Sequence, residues 1–193
     1  IGNIQQNLNL KKEQVICEDL DKLNNYLPEA KAAFIAVPDE VHFHYLELFI
    51  NNDIPCWIVK PLTADLSQCK TLLAKPKPKI WVDYHKRFDP SNNLIKDKIV
   101  HGEMGSLLHY SVEYNQPAKL PLETFNWSKN SDVFSYIGCH YVDLLNYFTS
   151  EEKFTSYSLS ASGISGPVHK KLGKNCFDVI ICTLKLKGDR EIL

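Results

Sequence analysis

A segment in the second half of the chain carries side chains suited to acid–base chemistry. At 3.6 residues per turn, a helix over residues 134–148 brings four polar side chains onto one face: Tyr136, His140, Asp143 and Tyr147. Histidine is the side chain that most readily gains or loses a proton near neutral pH. The same helix has an apolar face, which consists of Ile137, Tyr141, Leu144, Leu145 and Phe148. We expect the apolar face to pack on a sheet and the polar face to line a cleft.

Three further polar groups come directly after apolar segments that have the character of buried strands. They are Pro38-Asp39, Lys60-Pro61 and Tyr84-His85-Lys86-Arg87. In an open parallel α/β sheet, ligands bind beyond the carboxyl ends of the strands. We therefore expect these side chains to lie along one edge of one sheet and to form a ligand site there.

The elements that would position them alternate regularly in the first half of the chain. The predicted strands cover residues 31–37, 54–59 and 79–84, and the predicted helices cover 39–51, with Asp39 as its cap, and 64–74. Short connections between strands and helices are typical of right-handed βαβ units, which build a parallel sheet. The sequence therefore predicts an α/β fold for this part of the chain.

The pattern changes after Phe88. A helix is predicted over residues 90–100, followed by strands over 107–114, 154–162 and 177–188 and by the helix over 134–148. Strands that are separated by long connections and share one helix are typical of an α+β domain on a mostly antiparallel, open sheet. We place the domain boundary near residue 88, which predicts one domain over residues 1–88 and a second over 89–193.

The composition argues against several classes of function. A formal net charge of -1 does not provide the clustered positive charge of a nucleic-acid-binding or membrane-binding surface, and no apolar stretch has the length of a membrane span. The six cysteines form no CxxC pair and no zinc-ligand spacing, so no metal site is expected. Cys56 and Cys182 lie inside apolar segments, as buried free thiols do. A reducing, cytoplasmic location is the simplest interpretation.

Four sequence motifs resemble those of one enzyme family. In order, they are AVPDEVHFHYL at 36–46, CWIVKPL at 56–62, the segment beginning YHKRFDP at 84, and Trp127 followed by DVFSYIGCHYVDLLNYF at 132–148. They are similar to successive motifs of the glucose-fructose oxidoreductase/inositol dehydrogenase (Gfo/Idh/MocA) family. The resemblance extends from about Val15 to Phe148 and weakly to Leu186. No single motif is decisive, whereas the four in this order are specific.

This resemblance implies a partial Rossmann domain that binds NAD or NADP, joined to an α+β domain for substrate binding and for assembly of a dimer or tetramer. Members of the family oxidise or reduce a secondary alcohol of a sugar, a cyclitol or a related compound. By position, Lys60 would hydrogen-bond the reacting hydroxyl and His140 would be the general base, with Tyr136 beside it as a third catalytic residue. The residues expected near the cofactor are Val37, Pro38, Asp39, His42, Lys60 and Pro61. Those expected near the substrate are Tyr84, Arg87, Tyr114, Trp127 and Asp143.

The chain departs from the family pattern at three points. Tyr136 stands where the family commonly has an aspartate, and Val59 stands where it has an acidic residue before the lysine. No Gly-x-Gly-x-x-Gly segment is present to hold a pyrophosphate. Either the first βαβ unit precedes the printed sequence or the polypeptide does not hold a dinucleotide. We favour the first explanation, because a sheet without its first strands would expose a long apolar edge.

Structural alternatives stand beside these functional interpretations. His42 could have a structural role at a helix end, Asp143 could be a buried partner for a nearby backbone group, and Arg87 could form an interdomain ion pair. Trp127 could be a packing anchor. The alternative for the whole chain is a non-catalytic homologue that binds a sugar or nucleotide or acts as a scaffold, which the residues at Tyr136 and Val59 would favour.

Overall fold

The computed structural model describes most of the 193-residue chain. The described residues are 20–76, 78–105, 107–124, 131, 133–149, 154–173 and 177–188. Trp127 lies outside them, so its predicted role in substrate binding and the alternative of a packing anchor both stay predictions. None of the helices in these ranges is both long enough and apolar enough to cross a membrane.

Three short strands form the parallel sheet that the sequence predicts. Strands β1, β2 and β3 are Ala33–Ile35, Cys56–Val59 and Ile80–Asp83, in the order β1-β2-β3. Ile35 is in register with Ile58, and Ile58 with Val82. All carboxyl ends of these strands therefore meet at one edge of the sheet, and this edge carries the polar groups noted in the sequence.

Two helices cover one face of this sheet. Helix α1 is His42–Asn51 and helix α2 is Leu66–Leu73, which begins after Asp65, whose carboxylate accepts hydrogen bonds from the backbone N–H groups of the first turn. The buried core that they form with the sheet consists of Ile35, Leu46, Cys56, Ile58 and Leu72. Each fully buried side chain of this size contributes about 1.5–3 kcal/mol relative to an exposed one, so this cluster anchors the sheet edge.

The opposite face of the sheet exposes a row of aromatic rings. Phe34, Trp57 and Trp81 are cross-strand neighbours in register, and they are 70%, 41% and 54% exposed. Parallel sheets are usually covered on both faces. Within the part of the chain that the structure describes, this sheet is covered on one face alone, as expected of the partial Rossmann domain that the sequence predicts.

The segment after β3 leads into the second part of the chain. A 3-10 turn covers His85–Phe88, and helix α3 follows at Pro90–Val100, where the Asp89 carboxylate accepts a 2.8 Å hydrogen bond from the Ser91 backbone N–H. Gly102, with φ of 75°, directs the chain away from the helix end. The helix bounds predicted from the sequence are confirmed.

A π-helical turn and an α-helix replace the single helix predicted over residues 134–148. The π-helical turn is Phe134–Gly138, and helix α4 is Cys139–Phe148. Gly138 is required at the junction, because a Cβ there would lie 2.6 Å from the ring of Phe134. A one-residue insertion of this kind is common at functional sites.

Two long strands form the antiparallel sheet. Strand β4 is Phe154–Ile164 and strand β5 is Val179–Gly188, paired from Ile164–Val179 to Phe154–Gly188. Between them, helix α5 at Pro167–Leu172 begins where the Asp178 carboxylate accepts hydrogen bonds from the backbone N–H groups of Gly166, Val168 and His169. The predicted class, a parallel α/β part followed by an antiparallel sheet, is confirmed, whereas the boundary at residue 88 stays a prediction.

The strand predicted over residues 107–114 is wrong. Of these residues, all of which are described, none belongs to a strand, although polar and apolar side chains alternate. A strand needs a neighbour to satisfy its backbone groups, and β4 pairs with β5 instead. The rings of Tyr110 and Tyr114 lie 6.2 Å and 6.1 Å from those of Phe148 and Tyr141 on α4.

Two smaller expectations also need correction. Cys56 is buried as expected, but Cys182 is exposed, because the antiparallel sheet has no covering layer over it in the described part of the chain. Asp39 does not cap a helix: it begins a 3-10 turn, Asp39–Val41, that has no side-chain capping bond. Asp39 therefore marks the start of the helical segment, as predicted, but its side chain does not form the predicted capping hydrogen bond.

Neighbouring leucines in α2 provide a matched test of the core. Leu72 is 0% exposed and Leu73 is 62% exposed. Leu72→Ala should lower the free energy of unfolding by about 2–5 kcal/mol, because it removes buried methyl groups and leaves a cavity. Leu73→Ala should change it by less than about 1 kcal/mol. Urea unfolding followed by circular dichroism measures both, and equal losses would contradict the described packing of α2.

Candidate active site

The ammonium of Lys60 connects the parallel sheet to the helix that carries His140. Its Nζ lies 3.8 Å from the ring centroid of Tyr136 and donates a hydrogen bond to the Tyr136 backbone carbonyl, 76 residues along the chain. Lys60 directly follows β2, and Tyr136 lies in the π-helical turn before α4. The structure thus brings two of the three predicted catalytic residues into contact, through the backbone and the ring of Tyr136.

His140, the third predicted catalytic residue, is almost completely buried. It is 2% exposed, and its ring lies 6.0 Å from that of Tyr84 and 4.4 Å from that of His85, measured between centroids. Its Nδ1 is buried and has no hydrogen-bond partner among the described residues. Burial, with further contributions from the positive charges of His85, Lys60 and Lys86, lowers the pKa of His140 to about 4. The imidazole is therefore neutral at neutral pH, which is the form that can accept a proton.

The carboxylate of Asp39 lies in electrostatic reach of Lys60. Burial raises the pKa of Asp39, and the positive charges of His42 and Lys60 act against this increase. Burial lowers the pKa of Lys60, and here the neighbouring Cys139 and Asp39 oppose the shift. Asp39 Oδ2 is buried without a hydrogen-bond partner among the described residues. An unsatisfied acceptor at a strand end can take a hydroxyl donor from a ligand.

His42 holds two strand ends together. It is 0% exposed, its Nδ1 lies 2.7 Å from the Pro61 carbonyl oxygen, and its Nε2 lies 2.9 Å from the Val37 carbonyl oxygen. A neutral imidazole donates to one of these carbonyls and a protonated one to both. Because both ring nitrogens contact the backbone, the geometry favours the structural alternative for His42 over direct contact with a cofactor. Through these bonds it positions the backbone on either side of Asp39 and Lys60.

Arg87 and Asp143 are paired with each other. Arg87 Nε lies 2.7 Å from Asp143 Oδ2 and Arg87 Nη2 lies 2.6 Å from Asp143 Oδ1, a bidentate arrangement, and the Asp143 side chain is only 9% exposed. The ion pair joins the turn after β3 to α4. The sequence left an ion pair open for Arg87, whereas the alternative for Asp143 was a backbone partner, and the structure gives the Asp143 carboxylate to Arg87. The predicted contact of both residues with a substrate stays a prediction.

The four polar residues share one side of the helix as predicted, but of them only Tyr136 lines the described cleft, whereas the sequence predicts that the whole polar face lines one. Tyr136 contacts Lys60, His140 contacts His85, and Asp143 binds Arg87, while the Tyr147 hydroxyl donates a 2.9 Å hydrogen bond to Asn93 Oδ1 on α3. All four therefore face the carboxyl edge of the parallel sheet or the helix that follows it. His85 belongs to one of the strand-end groups that the sequence singles out, but its contact with His140 was not predicted.

The apolar face is only partly packed. Leu144 and Phe148 are buried, whereas Ile137, Tyr141 and Leu145 line a cleft of about 700 Å³ between α4, β5 and residues 110–118. Tyr114 and Tyr136 also line this cleft.

Tyr84 lies half-buried against His140, and burial raises its pKa to about 12, so it is a neutral phenol. Among the residues the structure describes, no group of three metal-ligating side chains is present.

Comparison with known proteins connects this geometry to one group of enzymes. No protein-family model matches the chain. Inositol 2-dehydrogenase of Arthrobacter sp. (strain FB24) is 32% identical over 143 residues, which is 72% of this chain and 40% of that protein. An inositol dehydrogenase homolog of Azotobacter vinelandii, solved with NADH and myo-inositol, has a TM-score of 0.68 and 19% identity, and the match covers 81% of this chain and 41% of that one.

A second solved structure agrees with the first. Scyllo-inositol dehydrogenase of Lactobacillus casei, with bound NAD(H) and scyllo-inositol, has a TM-score of 0.67 and 20% identity over 88% of this chain and 51% of that one. The chain is similar to inositol dehydrogenases both in sequence and in fold. This similarity confirms the resemblance that the four motifs indicate. The chain spans between about two fifths and half of the length of the proteins it matches.

The burial of His140 predicts a pH dependence of stability. Its pKa is about 4 in the folded protein and about 6.5 in an unfolded chain. Below about pH 6.5 the unfolded chain binds a proton that the folded protein does not bind, so the stability that this group contributes falls until about pH 4 and is then constant. We expect a decrease of about 2 kcal/mol from this group. Urea unfolding at pH 7 and pH 4.5 measures this decrease in the free energy of unfolding. His140→Asn should lose less stability than the wild-type protein between these pH values. Equal losses would show that His140 does not cause the pH dependence.

The Arg87–Asp143 pair predicts a measurable coupling energy. A double-mutant cycle with Arg87→Ala and Asp143→Ala should give about 1–3 kcal/mol, because the carboxylate is buried and the contact is bidentate. The control is the pair formed by Lys98 and Glu103, whose side chains are 42% and 54% exposed. That cycle should give no more than about 0.5 kcal/mol. Chemical denaturation provides both energies, and a coupling at Arg87–Asp143 as small as the control value would show that the pair does not hold α4.

Proposed function

We propose that this chain forms part of an NAD-dependent oxidoreductase that acts on a secondary alcohol of a cyclitol or sugar. The observation that carries the proposal is that Lys60 contacts Tyr136 at the carboxyl edge of the parallel sheet, one helical turn before His140, whose ring packs against the residues that follow β3. The similarity to inositol dehydrogenases supports the same substrate class.

The residues of this edge suit the removal of a proton from a hydroxyl. A carbinol carbon releases a hydride only as its hydroxyl loses a proton, so a base must lie within hydrogen-bond reach. His140 is neutral and can take that proton. Lys60, as an ammonium, stabilises the developing alkoxide in a site where burial strengthens the electrostatic interaction. Tyr136, whose pKa burial raises, keeps its phenol proton and can donate a hydrogen bond to the same oxygen.

The edge of the sheet also suits the nicotinamide end of a dinucleotide. When bound, the nicotinamide would supply the hydride acceptor or donor. Residues Val37, Pro38 and Asp39 after β1, and Lys60 and Pro61 after β2, would hold it. Asp39 Oδ2, which has no hydrogen-bond partner in the described part of the chain, would accept a hydrogen bond from a ribose hydroxyl. NAD is favoured over NADP because the solved relatives named above carry NAD(H).

Assembly and location are further parts of the proposal. On β5, Val179 and Ile181 alternate onto one face of the antiparallel sheet, and both are exposed. Burial of that face against a second copy would give the dimer or tetramer that the resemblance implies. A cytoplasmic location is proposed from the sequence alone.

The test is a dehydrogenase assay on protein expressed from its complete coding sequence. Myo-inositol, scyllo-inositol and a panel of sugars are offered with NAD⁺ or NADP⁺, after the intact mass has been measured. His140→Asn and Lys60→Met should each lower kcat/KM about 10²–10⁴-fold. His101→Asn and Lys98→Met, both at exposed positions on or after α3, are the matched controls and should keep wild-type values. Wild-type turnover in His140→Asn or in Lys60→Met would refute the proposed mechanism. Cofactor binding by the wild-type protein without hydride transfer to any substrate would favour a non-catalytic homologue.

A further inference from the structure

The proposed function, on which this inference rests, requires a route by which the proton that His140 takes up can reach solvent. His140 is 2% exposed, and its Nδ1 has no partner among the described residues. A buried imidazolium without a hydrogen-bond acceptor is costly. The proton must therefore leave after each turnover, and bulk water does not reach the ring directly.

The groups described around His140, which is on α4, come from two places in the fold. Tyr84, His85 and Lys86 follow β3, and Lys60 follows β2. Tyr84 is a neutral phenol whose pKa is raised to about 12. Lys60 donates to the Tyr136 carbonyl, and Lys86 Nζ lies 5.2 Å from the Tyr141 ring centroid. None of these three groups is suited to accept a proton near neutral pH, whereas an imidazole is.

His85 is placed to connect His140 with solvent. Its side chain is exposed, and its ring meets that of His140 edge-on, with centroids 4.4 Å apart and planes at 67°. One ion pair close to both rings stabilises this contact. Arg87, two residues after His85, binds Asp143, three residues after His140. A bidentate ion pair of this kind restricts how far the two rings can separate.

We propose that His85 is the proton relay between His140 and solvent. In alcohol oxidation the O–H bond of the substrate breaks, and its proton goes to a ring nitrogen of His140 while the hydride leaves with the cofactor. The new N–H bond of His140 then breaks, and the proton passes to a ring nitrogen of His85, directly or through one water, and from there to buffer. His140 returns to its neutral form with no other reactant consumed. In carbonyl reduction the same proton travels in the opposite direction.

Charge supports the direction of this transfer. Lys60, Lys86 and His85 all disfavour the protonated form of His140. A proton on His140 is therefore driven towards a site with more solvent, and the pair holds one proton more readily than two. His85 is the exposed member of the pair, so the proton leaves through it.

The kinetic test compares His85→Gln with His101→Gln. His101 is an exposed histidine that contacts Asp97, remote from the His140 ring contacts, so it controls for the loss of a surface imidazole. At low buffer concentration, His85→Gln should lower kcat about tenfold with KM unchanged and should increase the solvent isotope effect. Added imidazole should restore kcat in a concentration-dependent manner, which a merely structural defect would not allow. Unchanged kcat, or a loss that imidazole does not restore, would overturn the relay.

A second measurement does not depend on turnover. In ¹⁵N-histidine NMR titrations, His85→Gln should raise the apparent pKa of His140 above its wild-type value of about 4, because a neighbouring positive charge is removed. His101→Gln should leave that value unchanged. An unchanged His140 titration in His85→Gln would refute the coupling of the two rings. If wild-type protein oxidises none of the substrates, the proposed function fails first, and this titration still decides whether the two imidazoles interact.

Discussion

The partial burial of the Lys60 ammonium is the constraint on which the rest of the site depends. A charge that loses part of its contact with water must find acceptors, and Lys60 finds them in the carbonyl and the ring face of Tyr136. This contact draws the π-helical turn before α4 onto the carboxyl edge of the parallel sheet. Once the turn is held there, α4 presents His140 to the residues that follow β3. The lysine therefore has a structural consequence in addition to its proposed role in catalysis.

The tyrosine at position 136 influences the electrostatics of the whole edge. A carboxylate, which the resemblance implies at this position, would offset the positive charge of Lys60 and Lys86, whereas the tyrosine keeps its proton. His140 lies among positive groups, its Nδ1 has no hydrogen-bond partner among the described residues, and its pKa is low. Asp39 is a carboxylate in electrostatic reach of the lysine, and the carboxylate of Asp143 is bound by Arg87. The charges around His140 therefore disfavour its protonated form, which is why the proposed proton exit through His85 matters.

The two ends of the site are held by different means. At the ends of β1 and β2, His42 binds the carbonyls of Val37 and Pro61 and so holds the strand ends at a fixed separation. At the end of β3, Arg87 and Asp143 hold the following turn against α4. Both devices use side chains that the sequence offers as ligand contacts. In each case the polar atoms of these side chains bind other groups of the protein, which makes the carboxyl edge of the parallel sheet rigid.

The sequence by itself determined the order of strands and helices in the first half, the bounds of α3, the polar face of the helix over residues 134–148 and the resemblance to one enzyme family. These features depend on local periodicity, caps and strand-end residues, which are properties of neighbouring positions in the chain. Only the tertiary structure decided that residues 107–114 form no strand, that Cys182 is exposed, and that His85 meets His140. A strand requires a partner, burial requires a covering layer, and a ring contact requires two distant segments to converge. None of these conditions is visible in a single stretch of sequence, because each depends on what the rest of the chain places beside it.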